Sequence, residues 1–563
     1  MIPEAPLDSK VLSIKPEDRT GDFTFSRGSN LAATRVGPTG LIEKGRENLL
    51  TYSNDFSNAA WTKFGSPTLT SGQSGYDGSS DAWLYESTTA SHSMLQFVSG
   101  SGVYSFSVYA KAGTADGIRL RFSASIDTNI YVDLTDGSII TDQSGITYNI
   151  ESVASGWYRI SITSNVSSLS NVRLIVVNNA GAETTGTIYI QDAQLEIGLA
   201  ATDYIESGAS TGKAGLLEDE PRFDYSGGAT CPSLLLEPSR TQLVEYSEAF
   251  SQWNSNLGSP VVTDNFATSP EGLTNATKIT FPTSNDGVTD VFGIGTTGNN
   301  LVFSIYVKNI DASFTEIRIR NSTTDFESRV NWTGSQITSV TTIDGTLEYE
   351  AVGNDWYRIW GAYTNDDANQ RPRLYSNGAN SSYLVYGAQL EVGSYPTSYI
   401  PNHSGGTITR GADACIKTSY PDLSSQQELT LYAEFNYEQS GRVIAIGNGT
   451  TNTRFFASYG SDKQIYMYLN IGGTLAFFLT SSNNVVSDGK NKVAVKIKSG
   501  ESLLYLNGTE VFNNTSTFTL SGFQNVYIGT SEYGSTNDTQ KIDSSLIFYN
   551  ALSAADLTTL TTL

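Results

Sequence analysis

The sequence predicts an all-β chain: three β-sandwich domains in tandem behind a short N-terminal arm. Three observations carry that expectation. Apolar and polar residues alternate in short runs such as "YSFSVYAKA", "IRLRFSAS", "YRISITS" and "VRLIVV", divided by Gly, Ser and Asn turns; a period of two marks half-buried strands. Composition agrees, with 52 Gly, 31 Tyr and 11% aromatic residues against 16% charged, which combines turn formers with side chains that fit a pleated surface. The third observation is a repeated phrase. "DAQLEIGLAATDYI" (192–205) returns as "GAQLEVGSYPTSYI" (387–400), with eight of fourteen positions identical at an offset of 195 (387 − 192).

Further landmarks recur in the same order. "LLTYSNDFSNAAW" (49–61) matches "LVEYSEAFSQW" (243–253), "FSVYAK" (106–111) matches "FSIYVK" (303–308), and "GWYRI" (156–160) matches "DWYRI" (355–359). Their offsets run from 194 (246 − 52) to 199 (355 − 156). That period is too long for a solenoid repeat or a propeller blade, so each copy is expected to own a core. A chain of 563 residues exceeds what one core supports, and roughly three or four domains is the prior. The expected divisions are an arm over 1–45, a first repeat over 46–210, a second over 211–412 and a different sandwich over 413–563.

Each element follows from local pattern. In "YRISITS", Tyr158, Ile160 and Ile162 share one face while Trp157, Arg159 and Ser161 share the other. In the repeated phrase, Ile188 and Ile190 have one parity and Ala193, Leu195 and Ile197 the opposite one, which requires a bulge near Asp192; the second copy has Gly387 there. The last 150 residues hold closely spaced strands: "ELTLYAEFNY" (428–437), "GRVIAIGN" (441–448), "TRFFASYG" (453–460), "QIYMYLNI" (464–471) and "KVAVKIKSG" (492–500). "SLLYLNGTEVF" (502–512) reads as a hairpin whose Asn507-Gly508 suits a type I′ turn. Ser553 caps a short helix from Ala554, with Leu557 and Leu560 apolar.

Charge narrows the partners. Asp+Glu 57 against Lys+Arg 34 gives −23, which repels nucleic-acid phosphate and anionic lipid. Neither a nucleic-acid partner nor membrane insertion is expected, and the N-terminus lacks the apolar core of a signal peptide. Cys231 and Cys415 provide no disulfide framework, and whether they pair is left open. The sequons at Asn275, Asn331 and Asn507 are read as unmodified.

"FSVYAKAG…GWYRISIT…AQLEIGLAATDYI" resembles the carbohydrate-binding-type jelly rolls repeated in bacteriophage tail and head fibre proteins. "DFTFSRGSNLAATRVGPTGLIEKGRENLLTYS" (22–53) and "EPRFDYSGGATCPSLLLEPSRTQLVEYSEAF" (220–250) are similar to the leader preceding such domains, here split by a whole jelly roll. The C-terminal stretch, with "LYLNGTEV" and "LIFYNALSAADLTTL", resembles a laminin-G or concanavalin-A-like lectin domain. The resemblance implies a virion surface fibre or adhesin, made in the bacterial host cytoplasm, that holds host or environmental glycan without catalysis. Other virion proteins would be its partners, the arm its anchor, and a homotrimer its usual state. A purely structural virion component is the alternative, and a polysaccharide depolymerase a minor one.

Trp157, Arg159, Trp356 and Arg358 are the candidate ligand-binding residues. On outward parity, a Trp beside an Arg forms a sugar-stacking surface. The structural reading, which is favoured, has each Arg pairing with Glu196 or Glu391 and stacking on its own Trp. No catalytic residues are assigned; His92 and His403 read as solvated loop residues. No resident cofactor is expected. Calcium is the one ion considered, since laminin-G-like sandwiches often hold it on a rim loop and "STNDTQKIDSS" (535–545) supplies oxygens; a plain polar loop is the commoner explanation.

Overall fold

Antiparallel strands build the computed structural model throughout, and the one α-helix among the described residues is Ala554–Thr561. The structure describes residues 23–28, 31–143, 145–293, 297–320, 326–378, 380–420, 422–531 and 539–563. The all-β expectation holds. The chain forms two compact units: Lys44–Leu217 with Gln242–Ile408, and Met1–Glu43 with Glu218–Thr241 and Thr409–Leu563.

The first of these units contains both repeats. In the first copy the long strands Ser93–Ala112 and Trp157–Val177 pair along much of their length. Trp157–Val177 continues onto Gly117–Ser123, and Gly186–Ile197 flanks Ser93–Ala112. Phe106, Val108, Ile118, Leu120, Ile160 and Leu195 fill the space between the layers. In the second copy Asn300–Asn309 lies between Trp356–Thr364 and Ser381–Val392. Its other sheet joins Asn369–Tyr375, Phe314–Arg320, Phe326–Thr333 and Gln336–Asp344. Phe303, Ile305, Ile317, Ile359 and Leu390 belong to a separate core. Each copy therefore owns a core, as the repeat length requires.

The fault in the repeated phrase is real in both copies. The register of Gly186–Ile197 slips between Gln191 and Gln194, and Asp192 takes φ 54°. Ile188, Ile190, Ala193 and Leu195 consequently face one core. In the second copy the slip lies opposite Ser304 and Tyr306, and Gly387 takes φ 59°. The two copies meet over buried charge. Lys44 Nζ lies 2.9 Å from Glu248 Oε1 and 3.0 Å from Glu271 Oε2. The hydroxyls of Tyr386 and Tyr399 donate to Glu248 at 3.2 and 3.0 Å, and His403 Nε2 stands 3.7 Å from it.

The second unit departs from the expected divisions at 45, 211 and 413. Residues 1–22 of the expected arm lie outside the described residues, but Thr24–Ser26 is an edge strand paired with Ala414–Lys417. The strands Arg222–Asp224 and Ser233–Leu236, assigned to the second repeat, extend the opposite sheet onto Gln540–Phe548. Burial explains the difference: Phe25, Leu234 and Leu236 complete the core formed by Leu431, Ile446, Phe455 and Val495, and the added strands cover sheet edges that would otherwise stay unpaired. A charged knot ties the three segments. Arg27 Nη1 lies 3.2 Å from Asp413 Oδ1, while Glu237 Oε2 lies 2.6 Å from Arg222 Nη1 and 2.8 Å from Arg410 Nη1. Arg222 also pairs with Asp413.

The C-terminal punctuation follows the sequence. Asn507 and Gly508, with φ 49° and 80°, turn the hairpin between Ser502–Leu506 and Thr509–Asn514. The Ser553 Oγ accepts from the Asp556 N–H at 3.2 Å, and the Asp556 carboxylate accepts from the Ser553 N–H at 3.2 Å. Leu557 and Leu560 bury against Tyr432, Ala494, Leu503 and Phe548 on the outer face of one sheet. That helix closes one side of the sandwich.

Candidate functional site

The four residues singled out in sequence are framework. Parity placed Trp157 opposite the Ile160–Ile162 face correctly, yet that second face is covered, and Trp157 and Trp356 are only 1% and 2% exposed. Tyr76 folds over Trp157 and stacks on Tyr109, centroids 3.6 Å apart and planes 3° apart. The Tyr76 hydroxyl donates to Asp192 Oδ2 at 3.0 Å. No open indole platform exists here, because a distant loop supplies the cover.

The arginines do structural work, by a route that differs in detail from the expected one. Arg159 and Arg358 lie over tyrosines, Tyr109 and Tyr306, each 5.5 Å from the ring centroid. Arg159 donates to the Thr202 carbonyl, and Arg358 donates to the Thr397 carbonyl at 2.7 Å. Glu196 accepts from the Thr202 N–H at 2.9 Å, and Glu391 from the Thr397 N–H at 2.7 Å. In both copies Arg and Glu converge on the same threonine and pin the closing phrase from two sides. The histidines are also corrected. Both are buried, His92 accepting from the Thr88 N–H at 3.2 Å and His403 sitting in the charge cluster between the copies.

Residues 535–538 of the loop considered for calcium lie outside the described residues. In its described remainder Asp543 is already engaged by Ser233 at 2.6 Å and Lys490 at 2.9 Å. Among the described residues no cluster of three His, Cys, Asp or Glu is arranged to hold a metal. Cys231 is exposed, Cys415 is buried, and both are free thiols. No helix among the described residues is long and apolar enough to cross a membrane.

A better site lies on the sandwich face that the helix does not cover. Arg454–Tyr459, Ile465–Ile471 and Thr474–Thr480 are adjacent strands, and their inward set, Phe455, Ala457, Ile465, Met467, Leu469 and Phe477, is core. Alternation sends the intervening residues outward. Register aligns them in three cross-strand rows: Ser458–Tyr466–Thr480, Phe456–Tyr468–Phe478 and Arg454–Asn470–Leu475. An outward face is ordinarily polar. This one carries four aromatic rings, and Phe478 and Leu475 are each 55% exposed.

The rings are mutually braced. Phe456 and Tyr468 stack with centroids 4.9 Å apart, and Tyr468 meets Phe478 edge-on at 5.9 Å. Tyr466 and Phe478 stand 6.3 Å apart with planes 14° from parallel, so they face the same way. Arg442 lies 3.7 Å from the Phe456 centroid and Arg454 lies 4.9 Å from that of Tyr468. The Asn470 amide donates to the Tyr468 hydroxyl at 3.2 Å, while Asn470 Oδ1 is enclosed without a protein partner. Burial raises the Tyr468 phenol, but hydrogen bonds from Asn470 and Arg454 and the Arg454 charge outweigh it and leave the group below its ordinary value. Rigid rings flanked by fixed donors suit the apolar C–H face and peripheral hydroxyls of a sugar. The signal in sequence was outward-parity Phe456, Tyr466 and Tyr468 on neighbouring strands; reading it requires the register.

The fold has low-identity neighbours among solved structures. The Ruminococcus gnavus IT-sialidase CBM40 is 18% identical over 24% of this chain and 83% of its own, with a TM-score of 0.22. The tandem CBM22-1-CBM22-2 domain of Paenibacillus barcinonensis Xyn10C is 10% identical over 65% of this chain and 100% of its own, at 0.21. Mouse laminin alpha1 chain domains LG4-5 are 11% identical over 48% and 87%, at 0.20. No curated protein matches the sequence. Residues 409–558, which contain the aromatic face, match the Laminin_G_3 family, the concanavalin A-like lectin/glucanases superfamily.

Proposed function

We propose that this chain is a non-catalytic glycan-binding adhesin, displayed on a bacteriophage virion, whose lectin-like sandwich makes the primary sugar contact. The observation that carries the glycan reading is the outward aromatic grid of Phe456, Tyr466, Tyr468 and Phe478 beside Arg442 and Arg454. The lectin-family match over 409–558 supports it. The virion assignment draws on the resemblance of the split leader and the repeated closing phrase to phage fibre proteins. In this reading other virion proteins anchor the chain, and a trimer multiplies shallow contacts through effective concentration.

The test is binding of the purified chain to host-surface polysaccharide and to a glycan array. Phe478→Ala removes a rim ring and is expected to weaken binding by roughly tenfold, from about 1 kcal/mol of stacking plus lost apolar contact, with an unchanged melting temperature. A chain without affinity for any glycan would favour the structural virion role. Release of reducing sugar would favour the depolymerase.

A further inference from the structure

The second repeat carries an arginine-rich face that differs from the matching face of the first. On the outer side of its Phe314–Arg320 sheet, register sets Tyr375–Glu316–Arg329 in one row and Arg373–Arg318–Glu327 in the next, followed by Arg371 opposite Arg320. Five guanidinium groups thus share a surface with two carboxylates, in a chain of net charge −23. Arg318 is fixed, with Nη2 2.9 Å from Glu316 and 3.0 Å from Glu327. Its guanidinium lies 5.0 Å from the Tyr375 ring centroid, and Arg329 lies 4.5 Å from that of Phe314. Arg320, Arg371 and Arg373 have no carboxylate partner among the described residues, and Arg373 Nε is enclosed without a hydrogen bond. At the Phe314 end of this face, one row from Arg373 and two from Arg371, opens a cavity of about 440 Å³ lined by Phe314, Glu316, Arg318, Tyr375, Ser284 and Asn377.

The first repeat provides an internal comparison. Its Arg119, Arg121 and Arg173 hold the equivalent register positions. There Arg119 lies 2.8 Å from Glu183, Arg121 pairs with Asp127, and the positions of Glu316 and Tyr375 are Gly117 and Val177. Two of its three arginines are thus ion-paired, Ile175 stands where Arg373 does, and the ring against the Arg119 guanidinium is Tyr131, at 5.4 Å.

We infer that the outer face of the second repeat is a subsite for an anionic saccharide residue. One sugar ring packs beside Tyr375 and Phe314 in the cavity, and the carboxylate of the next residue along the saccharide takes the guanidinium donors of Arg373 and Arg371, whose planar forks match a carboxylate. A local positive field in an acidic chain selects for charge as well as ring shape. The inference rests on the glycan-binding reading for the class of ligand but uses a different surface.

Calorimetric titration of the full chain with trigalacturonate and with its methyl ester tests it, since the ester keeps the sugar chain and removes its charge. The expected result is measurable binding of the acid, at least tenfold weaker binding of the ester, and a further drop at high salt. Arg371→Ala with Arg373→Ala should lose at least tenfold for the acid at an unchanged melting temperature, while Arg119→Ala and Phe478→Ala leave that binding intact. Equal binding of acid and ester would overturn the subsite. So would loss of acid binding in Phe478→Ala alone, which would assign the contact to the lectin-like face. Neutral-glycan binding through that face, with no response to trigalacturonate, would overturn the subsite and leave the adhesin reading standing.

Discussion

Trp157 and Phe478 show how two aromatic residues on outward parity come to opposite environments, one enclosed and the other 55% exposed. Trp157 is enclosed by Tyr76, Tyr109 and Tyr189, so its indole contributes to stability and is closed to ligand. Trp157→Ala is expected to cost roughly 3–5 kcal/mol, the range for truncating a buried large aromatic, and to lower the midpoint of urea unfolding. Glycan affinity of the protein that remains folded should not change, and a selective loss of affinity would reverse the assignment. Parity was legible in sequence for Trp157, whereas the strand that carries Phe478 was not among those the alternation named. What covers a face was not legible, because Tyr76 comes from a loop some eighty residues before Trp157 and no local pattern announces where a loop will lie.

At the scale of the element, patterns that depend on neighbours in sequence were legible, and those that depend on pairing partners were not. The parity switch around Asp192 and Gly387 required a bulge, and the backbone provides one in each copy. Gly387 takes φ 59°, and a Cβ there would stand 3.1 Å from the Tyr399 ring. Gly387→Val therefore combines left-handed strain with overpacking, and a loss of about 2–4 kcal/mol is expected in chemical denaturation. The Ser553 cap was equally local. Ser553→Ala removes one acceptor and one side of the capping box, so about 1 kcal/mol should be lost. Hydrogen exchange would report it as faster exchange of the Ala554–Thr561 amides, with the sheets unaffected. Alternation identified two of the three strands of the aromatic grid, over 453–460 and 464–471, but not Thr474–Thr480 or the strands of the arginine face; each face takes shape only when three strands align, and sequence spacing does not fix that register.

At the scale of the whole molecule, the leader segments join the C-terminal sandwich by pairing across hundreds of residues, so no contiguous boundary describes that unit. The repeats, by contrast, announce themselves, but their junction does not: Lys44, Glu248 and His403 look like ordinary polar residues until the two copies meet. Their burial makes that junction sensitive to acid. Burial holds His403 down to about 4, with the Lys44 and Arg46 charges in the same direction and Glu248 opposing them. Its folded value lies below the ordinary 6.5, so the unfolded chain binds the extra proton between those limits. Stability is then lost as pH falls from about 6.5 to about 4, by roughly 3 kcal/mol. Burial alone would raise Glu248, but Lys44, His403 and Arg46 draw it to about 2. Its contribution is present above the ordinary 4.5 and disappears as pH falls toward 2. Urea midpoints measured between pH 7.5 and 3 should therefore fall in two stages. His403→Gln should flatten the upper stage and leave a shallower lower one, since Lys44 and Arg46 still hold Glu248 down, whereas an unaltered upper stage in that variant would remove His403 as its source.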